Sequence, residues 1–348
     1  MPNSRLLNQL VYSIFFFWRR MLFFLLLFAT SVFAEFSQVH HYDLSDSDRM
    51  RRELIWESSE TPPFNELILT WNAHRPEEGR YSFFISLYQD GHWSPWLYSS
   101  EWGDLGQIIF NDAPEDSFAM TYRDGAKPKK GFATGFRIRV LAAEVADLSG
   151  IKTVWVNLCN LTEFRPTALH QSLDLILLQN VPRQSQITLR HPRSLDLSFP
   201  VAMSTALNTL LQRKAIDPVD FSNQVMDNDT DFYESWMLNA AEAAHRLGAD
   251  YSVHVERLTD FEALHSHLLQ GSPVLISMRG SFLGGPRLYH FPHILCVIGY
   301  NPDERKVYCI DSGFPNDKST FVSYRIEDFL KCWNTQKNIA CVFHKTSY

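Results

Sequence analysis

The stretch from His290 to Asp311, HFPHILCVIGYNPDERKVYCID, constrains the fold of this chain more than any other. An apolar run from Ile294 to Tyr300 is followed by the turn-forming Asn-Pro-Asp-Glu and then by a second β-forming run, Lys306 to Asp311. Two such runs joined by about four turn residues predict an antiparallel hairpin. Side chains alternate faces along a strand, so the register decides which polar residues meet. Pairing Val297 with Val307 places His293, which opens the first strand, opposite Asp311, which closes the second. An imidazole held by a carboxylate is the base and orienting partner of a nucleophilic triad.

The nucleophile is sought upstream, in VPRQSQITLRHPRSLDLSFPVAMSTALNTLLQ, residues 181–212. Pro200 begins a pattern with Val201, Ala202, Thr205, Leu207 and Leu210 on one side, an amphipathic helix with proline in its first turn. Ser198 stands just before it, at the positive end of the helix dipole, where a thiolate or oxyanion is favoured.

Taken together these residues make the segment 181–348 resemble the C-39-like family of papain-fold cysteine peptidases. That family's pattern runs V-P-x-x-S-Q, then C-S-P-T-S opening a helix, then a G-H strand and an N-D-P strand end. Val181, Pro182, Ser185 and Gln186 match the first element, and His293 and Asp311 match the last two. In the second, Ser198 stands at the cysteine, Phe199 at a serine and Pro200 at the proline. Similarity continues through 258–277 and 322–333. The resemblance implies an α+β, papain-like domain with Ser198 in the nucleophile's place, His293 as base, Asp311 orienting it and Gln186 as oxyanion donor.

No cysteine lies between Cys159 and Cys296, so no register shift supplies a thiol. A serine hydroxyl ionises many units above a thiol, and a site shaped for a thiolate–imidazolium pair activates an alcohol poorly. Two functions follow. In one, the domain is a catalytically impaired relative, a pseudoenzyme that binds a peptide or cell-envelope ligand. In the other it is an active peptidase or amidohydrolase using Ser198.

At 348 residues with 45% apolar content, the chain is long enough for two ordinary domains. The leader, residues 1–34, reads as a secretory signal: Arg19 and Arg20 precede a short apolar run ending in Val32-Phe33-Ala34, with cleavage expected after Ala34. The competing reading is an anchor, with membrane attachment through residues 10–34, although the arginines split the apolar runs into pieces too short to span. Either way the protein is expected to be exported: periplasmic, secreted or attached to the envelope. The formal charge of −7 argues against a nucleic-acid partner. The thirteen histidines look scattered, no metal motif appears, and no cofactor or metal is expected. Five cysteines are an odd number without framework spacing, and read as buried small apolar residues.

In the domain expected over residues 35–160, residues 60 to about 160 carry β-formers in ELILTWNA, YSFFISLY, HWSPWLYS, GQIIF, GFATGFRIRVLAA and IKTVWVNL, separated by turn groups. Six to eight short strands predict an antiparallel β-sandwich, as proteins of the C-39-like class often carry ahead of the peptidase domain. Trp71, Trp93, Trp96 and Trp102 are either core or an aromatic platform for sugars. Residues 161–178 read as a linker, and 179–348 as the papain-like domain. There, helices are expected near 200–213, 231–247, 260–269 and 326–333. Strands are expected near 251–256, 273–278, 293–300, 306–311, 320–325 and 339–344. The glycine-rich, aromatic loop 280–292 precedes His293 and reads as a lip over a cleft.

Overall fold

The computed structural model describes residues 36–166, 168–169 and 172–346, so the leader expected over 1–34 lies outside the described residues. The β-forming runs between residues 60 and 160 become nine strands rather than six to eight, and two more precede them. They are β1 (Ser37–Asp43), β2 (Glu53–Ser58), β3 (Glu66–Ala73), β4 (Arg80–Gln89), β5 (His92–Trp93), β6 (Leu97–Gly103), β7 (Gly106–Ile109), β8 (Ala119–Tyr122), β9 (Gly125–Pro128), β10 (Gly135–Ala143) and β11 (Ile151–Cys159). Strands as short as β5 and β8 hold too few residues to show alternation, which is why the pattern undercounts them. A single-turn helix, α1 (Asp46–Arg49), is capped by Ser45.

Two antiparallel sheets result, ordered β1-β11-β3-β9-β8 and β2-β10-β4-β6-β7, with β5 on β4. Alternation is plain on β10, where Phe136, Ile138 and Val140 are buried and Arg137 and Arg139 lie nearer solvent. Aromatics join the inner faces: Trp71 stacks on Phe83 at 4.0 Å between ring centroids, and Tyr42 on Trp56 at 5.8 Å. Such face-to-face packing is that of a β-sandwich. Trp71 and Trp102 are fully buried core residues. Trp93 and Trp96 are half-buried and flank the Arg137 guanidinium, at 4.2 and 4.8 Å from their ring centroids.

The C-terminal region alternates helices with a third antiparallel sheet. Its elements are β12 (Ile176–Leu177), α2 (Ser198–Leu210), α3 (Pro218–Val225), α4 (Trp236–Leu247), β13 (Tyr251–Arg257), α5 (Phe261–Leu269), β14 (Val274–Gly280), β15 (Tyr289–Asn301), β16 (Lys306–Ile310), β17 (Phe321–Arg325), α6 (Ile326–Asn334) and β18 (Ile339–Lys345). The sheet order is β13-β18-β14-β15-β16-β17, with β12 beside β15. Helix α3 escaped the sequence reading because it is short and sparsely apolar; Asp217 caps it and Pro218 opens it. Helix α4 starts at Trp236, not near 231, because Ser235 caps it. Asp124 on the β8–β9 turn reinforces that start, accepting from the Trp236 N–H at 2.7 Å and the Ser235 hydroxyl at 3.0 Å.

The hairpin forms with the expected four-residue turn, Asn301 pairing with Lys306. Its register near the site differs from the expected one. Val297 pairs with Cys309 and Val307 with Tyr300, with an irregularity between Val297 and Gly299. On the site side of the irregularity the shift from a Val297–Val307 pairing is two residues, an even number, so the side chains there keep their faces. His293 and Asp311 therefore remain on one face but meet diagonally rather than directly opposite. The irregularity coincides with β12, whose Leu177 pairs with Gly299. A Cβ at Gly299 would stand 2.5 Å from the Ile176 carbonyl oxygen, so only glycine admits β12 here.

The stretch expected as a linker thus contributes a strand to the C-terminal sheet. Residues Phe36–Tyr348 form one compact unit. One apolar core runs from Trp71 and Val154 in the sandwich, through Met237 and Ala241 of α4, to Phe199 of α2 and Cys296 of β15. Polar ties reinforce it. The Asn72 side chain donates to the Val253 carbonyl and accepts from the Val253 N–H, both at 2.7 Å. Arg257 makes a two-pronged ion pair with Glu66, one contact being Nη2 to Oε1 at 2.9 Å.

Candidate functional site

Helix α2 is buried along nearly its whole length, from Ser198 to Thr209, and packs across β15. Ser198 is its first residue rather than the residue before it, and Pro200 lies in the first turn. Position Ser198 therefore sits at the positive helix end, against the start of the buried part of β15. The N–H of Ile294, next to His293, donates to Ser198 Oγ at 3.4 Å. The expected serine and histidine are thus brought to one place by a helix end and a strand.

His293 is held firmly. Its Nε2 lies 2.9 Å from Asp311 Oδ1, and its ring stacks on Tyr289 with centroids 4.0 Å apart and planes 6° from parallel. Asp311 is completely buried. Besides His293 it accepts from the Tyr289 hydroxyl at 2.7 Å, the Gly313 N–H at 2.9 Å and the Tyr324 hydroxyl at 2.7 Å. Burial alone would raise its carboxyl, but His293 and the two tyrosine hydroxyls outweigh that and hold it below the usual carboxylate range. With Nε2 engaged, the other ring nitrogen, Nδ1, is the one free to act on a ligand.

Gln186 lies behind the cleft wall. It is fully buried, and its amide nitrogen donates to the carbonyls of Leu195 at 2.8 Å and Ser194 at 3.2 Å. Its carbonyl accepts from the Ser312 hydroxyl at 2.8 Å. Both amide hydrogens are thereby engaged by main chain. Gln186 ties the loop before α2 to the loop after Asp311, and in this arrangement it has no hydrogen left for an oxyanion.

Glu234 is the site residue that the sequence reading missed. The Ser198 hydroxyl donates to Glu234 Oε1 at 2.5 Å. Desolvation raises the Glu234 carboxyl above its ordinary value, although Ser198 and the nearby His293 pull it the other way. A hydroxyl has one proton to donate, and here Ser198 directs it to a carboxylate instead of to the imidazole. The signal was present: Glu234 is a lone acid in the aromatic run Phe232-Tyr-Glu-Ser-Trp236, directly before the capping serine. Placing the helix start near 231 had moved it onto a helix.

These groups open into a cleft of about 510 Å³. Ser198, Glu234 and His293 line it together with Arg193, Asp196 and residues 287–292. Of the segment expected as a lip, 280–292, only 287–292 line the cleft, and residues from Tyr289 onward belong to β15 rather than to a loop; Phe291 is 82% exposed. A second cavity of about 420 Å³ adjoins it, sharing Phe232, Glu234, Phe291 and Pro292 and reaching Asp124 and Arg257.

No curated protein matches this chain. Residues 178–341, just under half of the chain, match the model described as the Peptidase_C39 like family, so the segment bearing this cleft is similar to that family.

Proposed function

We propose that this cleft binds a peptide, or the peptide part of a cell-envelope component, and turns it over poorly or not at all. The observation that carries the reading is the Ser198–Glu234 hydrogen bond, which takes the serine proton away from His293. A serine in place of a thiol needs close geometry with its base, and a carboxylate that competes for its proton works against it. Gln186, engaged by two carbonyls, offers no oxyanion donor. The cleft itself suits a peptide: its volume falls within the usual range for ligand sites, and its walls mix Arg193, Asp196 and Arg287 with Leu195, Tyr233 and Leu288. Export through the leader at 1–34 completes the reading and would bring the cleft to peptides outside the cytoplasm.

The His293–Asp311 pair keeps the arrangement a thiolate needs. Labelling with a haloacetamide probe tests this. Ser198→Cys is expected to gain labelling at residue 198, and His293→Ala in that background is expected to remove most of it. Wild type is expected to stay unlabelled by a fluorophosphonate. Strong fluorophosphonate labelling of wild type at Ser198 would establish a serine hydrolase and overturn the reading.

A further inference from the structure

Thirteen histidines look dispersed along the sequence, yet folding gathers three of them around one carboxylate at the opposite edge of the C-terminal sheet from β17. His254 and Glu256 are two apart on β13 and so project from one face. The antiparallel register pairs His254 with Val342 and Ser252 with His344, which places His344 of β18 diagonally beside His254 on that face. One ligand atom each from His254, Glu256 and His344 lies within 4.8 Å of the other two. His267, in the last turn of α5, reaches in from above, its Nε2 4.0 Å from Glu256 Oε1. On the far side Trp155 of β11 lies flat on His254, with centroids 4.1 Å apart and planes 4° from parallel.

We propose that His254, Glu256, His344 and His267 form a binding site for a divalent transition-metal ion, zinc being the best match. Three imidazoles and one carboxylate are a donor set suited to zinc, which takes four ligands in a tetrahedron. Two ligands each about 2.1 Å from a tetrahedral ion stand about 3.4 Å apart. His254 Nε2 and Glu256 Oε1 are 3.3 Å apart. His267 Nε2, 4.0 Å from Glu256 Oε1, would have to move inward by more than half an ångström to complete the set.

Charge balance points the same way. The ion pairs of Glu256 among the described residues are with His254 and His267 only, with no arginine or lysine. Side-chain exposure is 17% for Glu256 and 3% for His254, so the carboxylate sits in a poorly solvated place with neutralisable partners. An ion here would tie α5 to the β13–β18 edge and, through Trp155, steady the contact with the sandwich. It would act on the framework, well away from Ser198.

The test uses the untagged full chain, stripped with a chelator and dialysed against micromolar zinc. One zinc per chain is expected, with a rise in Tm of several degrees. Glu256→Gln and His344→Ala are each expected to lower zinc affinity at least tenfold and abolish the rise in Tm. A measurement on wild type alone guards against variants that fail to fold: zinc is expected to protect the partly exposed His344 from diethylpyrocarbonate more than the exposed His290, as read by peptide mass spectrometry. Less than a tenth of an equivalent of bound zinc, wild-type affinity in both variants, or absence of selective protection would each overturn the proposal.

Discussion

Replacing Glu66 by glutamine removes one partner from the ion pair that joins the first residue of β3 in the sandwich to β13. The side chains of Arg257 and Glu66 are 10% and 9% exposed, so neither charge is well solvated. After the substitution Arg257 keeps its bonds to the carbonyls of Gln336 at 2.7 Å and Lys337 at 3.0 Å but has no anion. Stranding a buried charge in this way costs about 3–5 kcal/mol, a large part of the roughly 5–15 kcal/mol by which such proteins are stable. With an unfolding entropy of about 2.1 cal/mol/K per residue over a unit of roughly 310 residues, that corresponds to a fall in Tm of about 5–8 °C. Removing both charges, as Glu66→Met with Arg257→Met, leaves no stranded group and is expected to recover most of the loss. Calorimetry or circular dichroism on wild type, Glu66→Met, Arg257→Met and the double variant completes the cycle. Because one apolar core spans both regions, wild type should melt in one transition. A Glu66→Gln shift below about 1 °C, or a double variant worse than the sum of the singles, would refute the reasoning.

Two further substitutions probe the surroundings of the cleft. Burial pushes the Asp124 carboxyl up to about 6, against the bonds it accepts from Trp236 and Ser235, so its folded value lies above its unfolded one. The stability it contributes is then full below about pH 4 and lost as pH rises through 6. Asp124→Asn is expected to flatten the dependence of Tm on pH between 4 and 7, and an unchanged profile would contradict that assignment. Gly313→Ala would set a Cβ 2.4 Å from the Tyr289 hydroxyl and 3.2 Å from Asp311 Oδ1. It is expected to displace Tyr289 from Asp311 and His293 at a cost of about 1–3 kcal/mol, measured by urea denaturation. A variant as stable as wild type would show that Tyr289 moves freely.

Strong periodicity carried most of the C-terminal elements, because strands such as β15 and β18 and helix α5 are long enough to show their period. The boundaries were lost where a distant residue sets them, as at α4, whose start depends on Asp124, 112 positions from Trp236. His293 and Asp311 were legible as a pair because face alternation survives an even register shift. Ser198 was legible through Pro200 and the helix pattern. Tyr289 and Tyr324 were not, since each reaches the site through folding and follows no local rule, while Glu234 was masked by a helix start set near 231. The histidine cluster was hidden for the same reason: His254 and His344 are ninety positions apart in sequence and neighbours in the sheet. Gln186 was found in the right neighbourhood, but which carbonyls its amide meets is decided by the fold of residues 194–195.

The central claim is that the cleft binds peptide while Ser198, bonded to Glu234, does not cleave it. The most direct measurement incubates the wild-type protein and Ser198→Ala with a diverse peptide library, then reads both retained peptides and new termini by mass spectrometry. The account expects the wild type to retain a reproducible subset of peptides, at a level reduced by substituting Arg193 or Phe291 in the cleft wall, and to generate no termini that Ser198→Ala does not also generate. Sequence-selective cleavage by the wild type that disappears in Ser198→Ala and His293→Ala would contradict it.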